Sequence, residues 1–186
     1  MQSQNTMIYA FIMFILFWIY VYAAEYTLTF DRVEPIKGDK ENLAEFSNLK
    51  IIRKGSDYYM NGTYTFVDDL DNSFTVEATT AYSPLENSRF IKQPYHVPKA
   101  PSCEFFNTSY KKLIEPCLVN TNFPVIPPEG LCPIPKGTYF MKDSTMIDGV
   151  LPPHLSRGIW KAELRFFKDG NCVGGAVTLS RIRNKH

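Results

Sequence analysis

The sequence predicts an all-β fold, an antiparallel β-sandwich or β-cup carrying one short helix and a proline-rich loop stapled by disulfides. Three observations predict it. Apolar and polar residues alternate with a period of two in several segments. A strong hairpin turn, Asp169-Gly170, joins the last two of these segments. Nine of the 13 prolines fall between Pro94 and Pro135, a density of missing donors that regular strands do not tolerate.

Taken in order, Tyr26, Leu28 and Phe30 alternate with Thr27, Thr29 and Asp31, which marks a half-buried strand, and 49–53 forms a short second run. Segments 58–67 and 73–82, rich in Tyr, Phe, Thr and Val, read as a hairpin around Asp68, Asp69, Asp71 and Asn72. Within the first of them, Asn61-Gly62 is either a tight turn or a bulge in one long strand, and the short arm 58–60 favours the bulge. Residues 102–115 place Phe105, Phe106, Leu113 and Ile114 near helical spacing, with Ser102 as the candidate N-cap. A long loop, 116–131, follows, then a strand beginning at 138–141, a crossing segment at 146–155, and the terminal hairpin of 158–167 and 172–183. Alternation puts Trp160, Ala162, Leu164 and Phe166 on one face, and Val173, Gly175, Val177 and Leu179 on the matching face of the last strand.

The N-terminal stretch 8–24 is unbroken apolar and aromatic sequence, and Glu25 is the first charge. It reads as an export sequence cut after Ala23, giving a signal peptide at 1–23 and a single domain at 24–186; the same run has the length of a signal anchor. Cys103, Cys117, Cys132 and Cys172 show no C-x-x-C spacing, so disulfides are expected, with Cys103–Cys132 preferred and Cys117–Cys172 as the remainder. The sequons at Asn61 and Asn107 agree with a secretory route as glycosylation sites. A net charge of +1 supplies no field for nucleic acid. Arg181, Arg183, Lys185 and His186 cluster at the C-terminus as a solvated strand end or as a contact with an anionic lipid surface.

Nothing in the sequence assembles catalytic or cofactor chemistry. His96, His154 and His186 sit in no metal-binding pair, there is no G-x-S-x-G elbow and no phosphate-cradling loop. The acidic cluster Asp68, Asp69 and Asp71 lacks the glycine and glutamate of a calcium loop and reads as a solvated turn. No metal, cofactor or enzymatic activity is expected. Aromatic residues reach 15% of the chain, enough either to fill a sandwich core or to line an apolar pocket.

The order Cys132-Pro133, Gly137-Thr138-Tyr139, Leu151-Pro152, Gly158-Ile159-Trp160 and Cys172, with Ser102-Cys103-Glu104-Phe105-Phe106 upstream, resembles the lysosomal ganglioside activator family. The resemblance extends to its insect secreted branch, the CheB chemosensory group among them. It implies a lipid-holding β-cup without chemistry of its own. The activator pattern has eight cysteines and this chain four, so that disulfide topology does not carry over.

The expected function is therefore secreted binding of lipids or hydrophobic cues, in transfer, presentation or pheromone response, with a membrane surface or receptor as further partner. The expected lining is Phe66, Phe74 and Val76 from the middle strands, Trp160, Leu164 and Phe166 from the penultimate strand, and Val177 and Leu179 from the last. Phe105, Phe106 and Leu113 would guard one end, with Phe106 at the rim. The alternative is an extracellular protein-interaction domain with a filled core. An internal apolar cavity of several hundred Å³ separates the two.

Overall fold

The structure is a computed structural model that describes residues 26–85, 89–145, 151–152 and 154–185. The leader, the first part of the crossing segment and His186 lie outside the described residues. The described chain is mostly β, with one short helical stretch, as the alternation predicts. Its strands are β1 (Tyr26–Ile36), β2 (Ala44–Glu45), β3 (Lys50–Lys54), β4 (Asp57–Phe66), β5 (Phe74–Ser83), β6 (Ile91–Lys92), β7 (Val97–Pro101), β8 (Asn120–Thr121), β9 (Gly137–Ser144), β10 (Gly158–Lys168) and β11 (Asn171–Asn184).

All of them belong to one sheet, ordered β6-β5-β10-β11-β2-β4-β9-β8, with β1 beside β11, β3 beside β4 and β7 beside β5. The sheet has two leaves. One is β5-β10-β11-β1 and the other β3-β4-β9-β8, and the two-residue strand β2 bridges them through a parallel pair, Gly174↔Ala44, and an antiparallel one, Ala44↔Phe66. The leaves face each other at one end: Phe66 on β4 lies 5.4 Å, ring to ring, from Phe166 on β10. Gly174 is required at the junction, because a Cβ there would stand 2.0 Å from the carbonyl oxygen of Ala44 and its φ is +131°.

Segments 58–67 and 73–82 form strands but not a hairpin. β4 pairs with β2, β3 and β9, while β5 pairs with β6, β7 and β10. The aspartate-rich turn between them carries the chain from one leaf to the other, and Leu70 at its centre is fully buried and bonded to Ile134 in both directions. β4 turns back instead onto β3, through Gly55. Asn61-Gly62 is the bulge, displacing the β4–β9 register between Met60 and Gly62. The prolines do not exclude strands altogether. β7 carries Pro98 and Pro101, and it sits on an edge, where a missing donor is tolerated.

The helical stretch is broken into α1 (Ser102–Phe105), a wider π-type turn at Phe106–Tyr110, α2 (Lys111–Leu113) and a 3-10 turn at Glu115–Cys117. Ser102 is not the N-cap. Pro101 holds that position, and the Ser102 hydroxyl donates 2.6 Å to the carbonyl of Asp71, tying the helix to the crossing turn. The Cys103–Cys132 disulfide fastens the same helix to the chain entering β9. Cys117 does not pair with Cys172. Each is a buried thiol donating to a nearby carbonyl, Leu113 O at 3.7 Å and Gly174 O at 3.8 Å respectively. The long loop contains β8, which pairs with β9.

The terminal hairpin turns at Asp169-Gly170, both at positive φ, but the phase of β11 differs from the alternation. Phe167 pairs with Cys172 and Phe166 with Gly174, leaving Val173 as an extra, bulged residue. From there every residue is displaced by one. Trp160, Ala162 and Leu164 lie opposite Ser180, Thr178 and Ala176, and so Val177 and Leu179 share the other face with Glu163 and Lys161.

Candidate functional site

The inner face of the leaf β5-β10-β11-β1 is covered at both ends by different parts of the chain. At one end Phe166, Phe74 and Val76 pack beneath Phe66, Phe105 and Phe106 in the main core, where Phe123 stacks on Phe106 at 5.7 Å and meets Tyr139 edge to face at 4.9 Å. That end is filled. Burial there pushes the Tyr64 and Tyr110 phenols well above the ordinary tyrosine range, since ionisation would leave a charge among rings. At the other end a second, smaller core holds Tyr26, Leu155, Trp160 and Ile182, with Leu28 and Leu151 packed against it.

That second core exists because the segment 151–157 is held over the sheet by three aromatic donors. The Tyr26 hydroxyl donates to Pro152 O at 2.8 Å, the Trp160 indole to Ser156 O at 2.9 Å, and the Tyr82 hydroxyl to Arg157 O at 2.9 Å. Each ring thereby presents an apolar body inward and spends its polar tip on the backbone of the segment. Arg157 returns the contact by donating to Asn184 Oδ1 at 2.7 Å, at the far end of β11.

Between the two cores the face is bare. Ala162, midway along β10, points inward yet is exposed. Here lies a partly open cleft of about 140 Å³. Its floor is Trp160, Ala162, Thr178, Ser180 and Ile182, its side wall Leu28 and Phe30, and its cover Leu151, Pro152, Leu155 and Tyr95. Thr80 completes the β5 side. Tyr95 lies 6.0 Å from the Trp160 ring. The one charged residue at the edge, Lys161, pairs with Glu163 at 2.7 Å on the opposite face of the sheet.

Of the residues expected to line a pocket, Trp160 does so. Phe66, Phe74, Val76, Phe105, Phe106 and Phe166 are core fillers, all buried, and Leu164 packs against them. Phe106 is 3% exposed and is no rim residue. Leu113 is half-buried on α2, away from the cleft. Val177 and Leu179 are placed behind the sheet by the bulge. The cleft is smaller than the several hundred Å³ expected for a hollow cup. The residues missed, Ser180, Thr178 and Ile182, follow from the same bulge, whereas Leu28 and Phe30 were already on the apolar side of the first strand.

The sequons fall on half-buried asparagines whose amides are engaged. Asn61 Nδ2 donates to Asp143 at 3.3 Å, and Asn107 Oδ1 accepts from Leu131 N at 2.8 Å. His154 is exposed, and His96 Nδ1 donates to Pro94 O at 2.7 Å. Among the described residues no group of three or more His, Cys, Asp or Glu is placed to hold a metal ion, and no helix is long and apolar enough to cross a membrane. A disulfide fits an oxidising, extracellular setting. No protein-family model matches the chain, and no curated protein matches it either.

Proposed function

We propose that this chain is a secreted, non-enzymatic binding protein for a hydrophobic ligand, held in the cleft beneath segment 151–157. The observation that carries the proposal is the bare, apolar middle of an otherwise covered sheet face, with an opening at Ala162. The leader sequence, the disulfide and the resemblance to the ganglioside activator family and its insect chemosensory branch support the same reading. Volume narrows it. Pockets for drug-sized ligands span roughly 300–1,000 Å³, whereas a cavity of about 150 Å³ takes a molecule the size of benzene. A cleft of about 140 Å³ thus suits a small cue or the end of one acyl chain rather than a whole lipid.

The filled aromatic core and the exposed Val119 and Val125 on the proline-rich segment favour the rival, an extracellular interaction domain. Ala162→Phe separates the two. The new ring enters open space, so the fold is retained while the cleft is blocked. Native mass spectrometry and organic extraction of protein from a eukaryotic secretion host should show a small hydrophobic molecule on the wild type and none on the variant. Equal occupancy of both, or none on either, would favour the interaction domain.

A further inference from the structure

The polar groups around the cleft are accounted for within the fold, with two exceptions. Tyr26, Tyr82 and Trp160 donate to the backbone of segment 151–157, and Thr80 Oγ1 donates to Tyr95 O. Thr178 and Ser180 remain, alternate residues of β11 on the inner face, about 7 Å apart along the strand. Ser180 is 7% exposed, between Trp160 on one neighbouring strand and Phe30 on the other. Among the described residues, neither hydroxyl has a hydrogen-bond partner. Both open on the cleft, and a hydroxyl that loses its water to a bound hydrocarbon without gaining a partner is destabilising relative to an aliphatic side chain of the same shape. Alanine or valine would suit this floor better if the cleft held only hydrocarbon.

We infer that the ligand is a small apolar molecule bearing one oxygen, of the alkanol class, bound with that oxygen on the floor against Ser180 and Thr178 and its carbon chain against Leu28, Leu155 and Ile182. This rests on the cleft being the ligand site. A hydroxyl ligand both donates and accepts, as serine and threonine do, so one oxygen satisfies a floor hydroxyl in either direction. The paired hydroxyls thus select an oxygenated chain over the bare hydrocarbon, because binding the latter leaves them dry and unbonded.

The test is a calorimetric cycle on the secreted protein with 1-hexanol and n-hexane as probes, against Ser180→Ala, Thr178→Val and the double variant. Each hydrogen bond is worth about five- to tenfold in affinity. Hexanol binding is expected to weaken by about that factor in each single variant, with hexane binding unchanged or tighter and the thermal midpoint retained. Thr178→Val, half-buried and isosteric, carries the test alone should Ser180→Ala fold poorly. If hexanol and hexane respond alike to the substitutions, the oxygen-binding floor is overturned while the cleft stands as the binding site. If the wild type binds neither probe, both fall.

Discussion

Phe106→Ala distinguishes a packed end from an open mouth. The ring is 3% exposed and lies 5.3 Å from Phe105, 5.1 Å from Tyr110, 5.7 Å from Phe123 and 6.4 Å from Phe66, centroid to centroid. Removing it forfeits the transfer energy of a buried phenyl group and leaves a void that four rigid neighbours do not close. Core substitutions of this kind destabilise by about 3–5 kcal/mol. That is a large part of the roughly 5–15 kcal/mol that holds a domain together. At roughly 2–4 °C per kcal/mol for a domain of this size, the thermal midpoint should fall by about 6–20 °C. The assay is paired: thermal unfolding followed by circular dichroism, and hexanol binding measured well below the transition. Binding should be unchanged, because Phe106 is no part of the cleft wall. A midpoint within about 2 °C of the wild type together with lost binding would refute the placement and restore Phe106 to a ligand mouth.

Tyr26→Phe removes only the hydroxyl that holds Pro152, and is expected to lower stability by about 1 kcal/mol in urea unfolding and to weaken hexanol binding, since the cover of the cleft loses one of its three ties. Cys103→Ser, paired with Cys132→Ser, should cost about 3–4 kcal/mol on the chain-entropy account for residues 29 apart, measured by urea unfolding. Iodoacetamide should label Cys117 and Cys172 only after denaturation, and peptide mapping that found them joined would contradict the structure. Glu163 has its carboxyl held below the ordinary value of 4.5, first by the Lys161 ammonium and then by Arg165. Its folded value is the lower one, so its contribution is complete above about pH 4.5 and fades as pH falls through the depressed value. Glu163→Gln should therefore cost up to about 1 kcal/mol at pH 7 and nothing in strong acid, as read from urea midpoints across pH.

Most strands were legible because their residues alternate, and the Asp169-Gly170 turn was legible because few dipeptides take two successive positive φ values. Partners were not. Nothing in segments 58–67 and 73–82 says that the turn between them leaves one leaf for the other, since burial of Leu70 against Ile134 is a long-range event. The site was lost to a single residue. Val173 is apolar and fits a regular strand, so only the packing of Ala44 against Gly174 reveals that it bulges, and that one step exchanged Val177 and Leu179 for Thr178 and Ser180. Aromatic residues announced a core, but their composition is the same whether rings fill a space or surround it.

The position of β11 constrains how the chain is made. β11 lies at the centre of the sheet, hydrogen-bonded to β1, to β2 and to β10. Until it leaves the ribosome, β1 lacks its hydrogen-bonding partner and β2 cannot join the two leaves, so only pairs that do without β11, such as β3–β4, β4–β9 and β5–β10, can form beforehand. The two leaves therefore join through β2 only once β11 is available. Truncation within the final strand would thus remove not an edge but the axis on which both leaves assemble.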